Sequence, residues 1–112
     1  MKNLLPLVSI FMFSAVSAQN LDSSQFYYKK GLEEKTARRF LVASQDFEKS
    51  IAFNTNFTNA YLENGYASLE MHRTDQAKAA FTKVNELDPS NKEAIKQLTD
   101  LFYSYRQYAK AI

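Results

Sequence analysis

The 112-residue chain has no cysteine, only two glycines and two prolines, and a single histidine. Without cysteine it forms no disulfide, offers no thiolate to a metal or a substrate, and has no residue for a lipoprotein-type lipid anchor. Its 14 basic and 12 acidic residues give a formal net charge of +2, which makes no electrostatic case for nucleic acid or an anionic membrane as a partner. Stability must therefore come from packing.

Residues that support catalysis are also scarce. His72 stands alone in a polar segment, whereas metal sites and catalytic triads need several partners at defined spacing. There is no glycine-rich phosphate loop, and the adjacent carboxylates Glu33 and Glu34 would point to different parts of a helix surface. The sequence therefore predicts no catalytic residue, no metal site and no cofactor, and hence a protein that is not an enzyme.

The first 18 residues have the pattern of a secretory signal peptide. Lys2 is positively charged, residues 4–15 are mostly apolar, and Val16, Ser17 and Ala18 precede Gln19 as a cleavage site. This pattern predicts a mature domain of residues 19–112, exported from a bacterium to the periplasm or secreted. An uncleaved anchor is the alternative, but the apolar run is shorter than the roughly 20 residues that span a bilayer. After cleavage, no transmembrane segment is expected.

The segment from Tyr61 to Pro89 repeats an earlier part of the chain. Moved back by 34 residues, it superposes the two glycines of the chain on each other and matches identical residues at four other positions. The matching pairs are Tyr27 and Tyr61, Gly31 and Gly65, Ala43 and Ala77, Phe47 and Phe81, and Lys49 and Lys83. A period of this length indicates a helix–turn–helix repeat.

Apolar spacing predicts five helices and no strand. They cover about residues 24–37, 39–53, 59–71, 74–87 and 91–111. Ser23 or Ser24 is expected to cap the first helix and Thr74 the fourth, while Ser90 and Glu93 form a capping box for the fifth. The fifth helix has an apolar stripe of Ile95, Leu98, Phe102, Tyr105, Ala109 and Ile112. We interpret it as a cap that covers the end of the repeat array.

At these positions the chain resembles the tetratricopeptide-repeat family, whose pattern is an aromatic, a glycine four residues later, then an alanine, a second aromatic and a proline. The first repeat has Thr55 in place of the proline, and Lys30 and Asn64 replace the leucine that usually precedes the glycine. The resemblance implies an all-α, helix–turn–helix solenoid with repeat one at about 24–57, repeat two at about 58–91 and a capping helix at about 91–111. The alternative is an ordinary helical bundle with a chance repeat.

In this family the first helix of each pair lines a concave groove. The resemblance therefore implies a partner-binding groove formed by Tyr28, Leu32, Lys35, Leu62, Tyr66, Leu69, Lys96, Asp100 and Tyr103. The alternative is that Leu62, Tyr66 and Leu69 simply pack against neighbouring helices. Family members that bind chaperone tails clamp a carboxylate with lysine and asparagine. Because Tyr28 and Leu32 occupy those places here, that specificity is not expected.

These observations predict a protein–protein interaction module that binds a segment of another protein in its groove, as an adaptor or assembly factor of the bacterial cell envelope. The alternative function is a soluble carrier of a small molecule or glycan, held against the tyrosines. Two repeats and a cap are close to the minimum of about three repeats that stand alone, so a homodimer is a second partner to consider.

Overall fold

The computed structural model describes the backbone of residues 4–111 and the side chains of residues 20–107, 109 and 110. The described chain is all-α, as predicted, with five helices. They are α1 (Leu4–Thr36), α2 (Phe40–Phe53), α3 (Thr58–Glu70), α4 (Thr74–Leu87) and α5 (Lys92–Ala111). Within this range, none of the helices is both long enough and apolar enough to cross a membrane.

The helices pack as two consecutive pairs followed by a single helix. The most extensive contacts join α1 to α2 and α3 to α4, while α2 packs on α3 and α5 packs on α4. The two pairs turn in the same way, since Arg38 (φ 62°) and His72 (φ 57°) both adopt left-handed backbone conformations and lie 34 residues apart. The sequence repeat is therefore also a repeat of backbone geometry.

The two glycines allow each pair of helices to approach closely. A Cβ atom built on Gly31 would lie 2.6 Å from the ring of Phe47, and one on Gly65 would lie 2.7 Å from the ring of Phe81. Both phenylalanines are fully buried, and so are Ala43 and Ala77 on the partner helices. The aromatic rings occupy the space that any larger residue would need, which is the packing that the repeat predicts.

The start of the first repeat differs from the prediction. Neither Ser23 nor Ser24 caps a helix, because α1 begins at Leu4 and continues through this region without a break. Ser24 is instead fully buried against Ser50 of α2. The Ser24 hydroxyl donates to the Ser50 carbonyl at 2.9 Å, and the Ser50 hydroxyl donates to the Ser24 carbonyl at 2.8 Å. These two hydrogen bonds thereby join α1 at Ser24 to the C-terminal part of α2 at Ser50.

The predicted caps of the later helices are also wrong. Arg73, rather than Thr74, is the N-cap of α4 and makes no side-chain capping bond. Ser90 and Glu93 do not form a capping box: the Ser90 hydroxyl donates to Asp88 at 2.7 Å, and Glu93 accepts from a tyrosine of α3. Asn91 takes the capping role, since its side-chain oxygen accepts from the Ala94 amide at 3.0 Å. Asparagine is as good an N-cap as serine.

Replacing Gly65 by leucine tests the close approach of α3 and α4. At an open helical site the change would stabilise by about 1 kcal/mol, because glycine has low helix propensity. Here we expect a loss of about 3 kcal/mol, since the new side chain would collide with Phe81. The melting temperature should fall by roughly 12 °C or more. Ala79→Leu, on the exposed face of α4, is the control and should melt close to the parent. A small shift for Gly65→Leu would contradict the proposed packing.

Replacing His72 by glycine tests the strain in the second turn. A left-handed backbone conformation costs a non-glycine residue about 1–2 kcal/mol, and glycine avoids this cost. Part of that gain is offset because glycine also raises the conformational entropy of the unfolded chain. We expect His72→Gly to raise the free energy of unfolding by about 0.5–1 kcal/mol, measured by denaturant titration. The neighbouring Arg73 has φ −95°, and Arg39 in the equivalent position of the first repeat has φ −93°, so Arg73→Gly relieves no strain and should destabilise.

Candidate partner-binding groove

The predicted groove residues lie on α1, α3 and α5, the first helix of each successive unit. The structure brings several of them together by polar and aromatic contacts between α1 and α3. It extends this network to the start of α5 through residues that the sequence did not indicate. The three α5 residues predicted for the groove lie further along that helix.

Lys35 links α1 to α3. Its Nζ atom lies 2.5 Å from Glu63 Oε2 in a partly buried ion pair and 5.3 Å from the centre of the Tyr66 ring. The ammonium group therefore has an anion and an aromatic face as partners within the protein. Lys35 is consequently not a free cation for an incoming ligand.

Tyr66 links α3 to the core and to α5. Its ring packs edge-on against Phe81, with centroids 5.3 Å apart, and its hydroxyl donates to Glu93 Oε2 at 2.8 Å. Burial raises the pKa of Tyr66 to about 12, helped by the hydrogen bond to Glu93 and by the negative charges of Glu93 and Glu63. The phenol is thus held neutral and pointing towards α5.

Tyr28 lies in an aromatic cluster at the other end of the groove. Its ring is 4.7 Å from that of Phe57 and 6.0 Å from that of Phe47, centre to centre. Burial raises the pKa of the Tyr28 hydroxyl, and the negative charge of Glu63 raises it further. The charge of Glu63 therefore acts on both Tyr28 and Tyr66.

The aliphatic residues of the predicted groove divide between surface and core. Leu62 is only 8% exposed and belongs to the buried cluster of α3, α4 and α5, so it serves packing. Leu69 is half-buried and packs against the same cluster, while Leu32 is half-buried on α1. For Leu62 the packing alternative therefore describes its position better than the groove does.

The α5 residues form the most exposed part of the predicted surface. Lys96 and Asp100 pair with each other across one helical turn at 3.3 Å. Tyr103 is 63% exposed. These three side chains lie on the surface of α5 and, among the described contacts, do not join the network of Lys35, Glu63, Tyr66 and Glu93.

The sequence reasoning missed the two carboxylates of that network, Glu63 and Glu93. Glu63 precedes Gly65 by two residues and matches no motif, and Glu93, in the first turn of α5, was assigned only to a capping box. Their roles depend on contacts between residues 27 and 28 positions apart in the chain. Periodicity within one helix carries no signal for such pairs.

The described residues contain no group of three or more histidine or carboxylate side chains arranged to hold a metal ion. His72 is exposed in the turn between α3 and α4. The arrangement on α1, α3 and α5 is a surface of aromatic and aliphatic side chains, crossed by an ion pair and a hydrogen bond. Such a surface suits the binding of another molecule.

Comparison with known proteins relates this arrangement to one fold. The solved first tetratricopeptide-repeat domain of Spaghetti (RPAP3), bound to the HSP90 peptide SRMEEVD, matches with a TM-score of 0.70 and 25% identity, covering 74% of this chain and 66% of that one. The Arabidopsis OM64 tetratricopeptide-repeat domain matches with a TM-score of 0.74 and 22% identity, covering 82% of this chain and 76% of that one. The chain has the fold of a tetratricopeptide-repeat domain. No family model matches it.

Among curated proteins, RNA polymerase II-associated protein 3 is similar to this chain. The human protein is 34% identical over 61 residues, covering 54% of this chain, and the Xenopus tropicalis protein is 35% identical over 86 residues, covering 77%. The chain spans only 9% and 12% of the length of these two relatives. The resemblance predicted from the sequence is confirmed at the level of the repeat fold.

The prediction of an exported protein, periplasmic or secreted, is wrong. The relatives described above are vertebrate proteins named for association with RNA polymerase II, which neither a periplasmic nor a secreted protein would meet. An apolar run such as residues 4–15 has the composition of a signal peptide, but it also has that of an ordinary apolar helix, and here it is part of α1. The boundary after residue 18 and the limits of the repeats stay predictions.

Alkaline titration tests the hydrogen bond between Tyr66 and Glu93. Unfolded tyrosine titrates near 10, below the folded value of about 12. Tyr66 thus contributes stability that is complete below pH 10 and is lost as the pH rises towards about 12. Glu93→Gln removes the charge, so we expect the Tyr66 titration, followed by tyrosinate absorbance, to shift to lower pH. The variant Tyr66→Phe lacks this phenol, so its difference from the parent identifies the part of the absorbance change that belongs to Tyr66.

The control for this titration is Glu70→Gln, which removes an exposed carboxylate at the end of α3. It should leave the Tyr66 titration where it is. An unchanged titration in Glu93→Gln would show that the bond to Glu93 does not hold the phenol.

Proposed function

We propose that this tetratricopeptide-repeat chain is a non-catalytic adaptor that binds an extended segment of another protein across α1, α3 and α5. The observation that carries the proposal is that each of the three first helices bears a tyrosine of the predicted groove, namely Tyr28 on α1, Tyr66 on α3 and Tyr103 on α5. Tyrosine is common at interfaces because it combines apolar area with a polar tip. The bound peptide of the RPAP3 neighbour supports a segment of protein as the ligand.

The charges of the surface indicate which segments it favours. Lys35 is paired with Glu63 and Lys96 with Asp100, and the carboxylate of Glu93 lies beside Tyr66. An acidic tail would have to displace those pairs or approach uncompensated carboxylates, which costs free energy. We therefore propose that the preferred segment is apolar or aromatic and carries little negative charge. In this respect it differs from SRMEEVD, the peptide bound by the RPAP3 domain.

Selection from a displayed library of short peptides on the full chain tests the proposal. We expect selected peptides to be rich in apolar and aromatic residues and to bind more tightly than synthetic SRMEEVD, measured by isothermal titration calorimetry. Tyr103→Ala should weaken the selected peptides at least tenfold, as expected when an interface aromatic is removed. Because Tyr103 is 63% exposed, the substitution should not disturb folding.

The matched control is Tyr105→Ala. Tyr105 is 75% exposed on the same helix, but two residues along a helix turn the side chain by about 200°, away from Tyr103. Its replacement should leave peptide affinity unchanged. Failure to select any peptide, or equal loss in both variants, would overturn the proposed binding surface. Tighter binding of SRMEEVD than of every selected peptide would overturn the proposed specificity.

A further inference from the structure

Helix α5 is held against the rest of the chain mainly through its first half. Ala94 is fully buried, and Leu98 and Leu101 pack against the buried cluster of α3, α4 and α5. In the next turn the exposed fraction rises to 66% for Phe102 and 63% for Tyr103. The described contacts therefore fix α5 near its beginning, while the half that bears Tyr103 lies at the surface.

A cleft separates part of α5 from the start of α4. It has a volume of about 370 Å³ and is lined by residues of both helices, namely Leu98, Leu101, Phe102 and Tyr105 of α5 and Thr74, Asp75 and Lys78 of α4. Because the two helices do not close on each other there, apolar packing on α4 alone leaves α5 room to tilt about its first turns.

Helix α5 has no glycine, so it lacks the contact that fixes the two earlier pairs of helices. Gly31 and Gly65 each receive a phenylalanine ring on the backbone, whereas Thr99 stands at the equivalent position of α5. Thr99 is exposed, and its hydroxyl donates to the Ile95 carbonyl of its own helix at 2.8 Å. What remains to set the direction of α5 is a polar contact with α3.

The hydroxyl of Tyr66 on α3 makes that contact. It donates to Glu93 Oε2 at 2.8 Å, and Gln97 approaches the same phenol as a hydrogen-bond donor. Glu93 and Gln97 are four residues apart, so they lie one above the other on the same face of α5. The phenol is itself fixed, because its ring packs edge-on against the fully buried Phe81. One fixed oxygen thus contacts two successive turns of α5, which constrains the direction of the helix as well as its distance.

We propose that the Tyr66 phenol, with Glu93 and Gln97 as its partners, orients α5 and thereby holds Tyr103 in place for the bound segment. Tyr103 lies about 15 Å along the helix from Glu93, so a tilt of about 10° would displace it by roughly 2.5 Å. Binding surfaces need their contact residues placed to within about 0.5 Å. Glu93 is then a positioning residue, which acts on the ligand through Tyr103. The effect on binding rests on the proposed function, whereas the orientation of α5 does not.

The orientation of α5 can be measured without a ligand. Because the chain has no cysteine, Glu48→Cys on α2 and Ser104→Cys on α5 introduce the only two thiols for spin labels, both at exposed sites. Double electron–electron resonance should give a narrow distance distribution for the parent with these labels. We expect Tyr66→Phe and Glu93→Ala each to broaden or shift that distribution, because each removes the hydrogen bond between α3 and α5.

Two variants serve as controls for this measurement. Tyr61→Phe also removes a phenol hydroxyl from α3, but that hydroxyl donates to the Thr55 carbonyl at 3.0 Å and so serves the turn between α2 and α3. Glu93→Gln keeps an oxygen that can accept from Tyr66. Both should retain the parent distribution. An unchanged distribution in Tyr66→Phe and Glu93→Ala, or an equal change in all four variants, would overturn the proposal.

Peptide affinity shows whether the orientation of α5 matters for binding. With a selected peptide, Glu93→Ala should weaken binding about fivefold, as expected for the loss of one hydrogen bond, and Glu93→Gln should restore it. In a Tyr103→Ala background, Glu93→Ala should have almost no further effect, because Glu93 acts through Tyr103. Additive losses would show that Glu93 contacts the ligand itself and would contradict its role as a positioning residue.

The orienting contact and the proposed function can fail separately. If no peptide is selected but Tyr66→Phe and Glu93→Ala alter the distance distribution, the orienting contact stands and the proposed function fails. If peptides bind through Tyr103 while the distribution is unchanged in both variants, the proposed function stands and the orienting contact fails.

Discussion

The contact of a phenylalanine ring with the backbone at a glycine determines the shape of this protein. Phe47 lies on Gly31 and Phe81 lies on Gly65, at distances that leave no room for a Cβ atom. Each contact draws a first helix against its second helix. Between the two helices of each pair, the chain turns through one residue in the left-handed backbone conformation. Glycine lowers helix stability by about 1 kcal/mol, so its presence inside α1 and α3 is explained by the ring that it admits.

The same contact explains why α5 behaves differently from α1 and α3. Thr99 stands at the equivalent repeat position of α5, so a Cβ atom is present where the glycines of α1 and α3 have none and a phenylalanine ring lies on the backbone. Helix α5 covers the core with Ala94, Leu98 and Leu101 and leaves Phe102 and Tyr105 in solvent. The change from glycine to threonine at the repeat position thus accompanies the change from a helix that pairs with the next one to a single helix that packs on α4.

The parts of the fold that could be predicted from the sequence are those recorded by periodic apolar residues. The lag of 34 residues identified both glycine–phenylalanine pairs, and apolar spacing placed the four later helices within a residue or two of their observed limits. The caps were predicted less well, because serine, threonine, asparagine and arginine compete for each cap and the winner depends on backbone geometry. The carboxylates Glu63 and Glu93 were missed, since their partners come from other helices.

The polar network explains what the candidate surface can recognise, although it contributes little to stability. Partly exposed ion pairs typically stabilise a protein by no more than about 1 kcal/mol, so Lys35 and Glu63 do not hold α1 and α3 together. The packing of α2 against both helices does. The ion pair of Lys35 and Glu63 instead changes the charge that the surface offers to a ligand. With the ammonium group of Lys35 shared between Glu63 and the ring of Tyr66, the surface has no unpaired cation at that point, and the neutral faces of its tyrosines remain for a ligand. Specificity here would come from aromatic contact, with charge acting to exclude acidic segments.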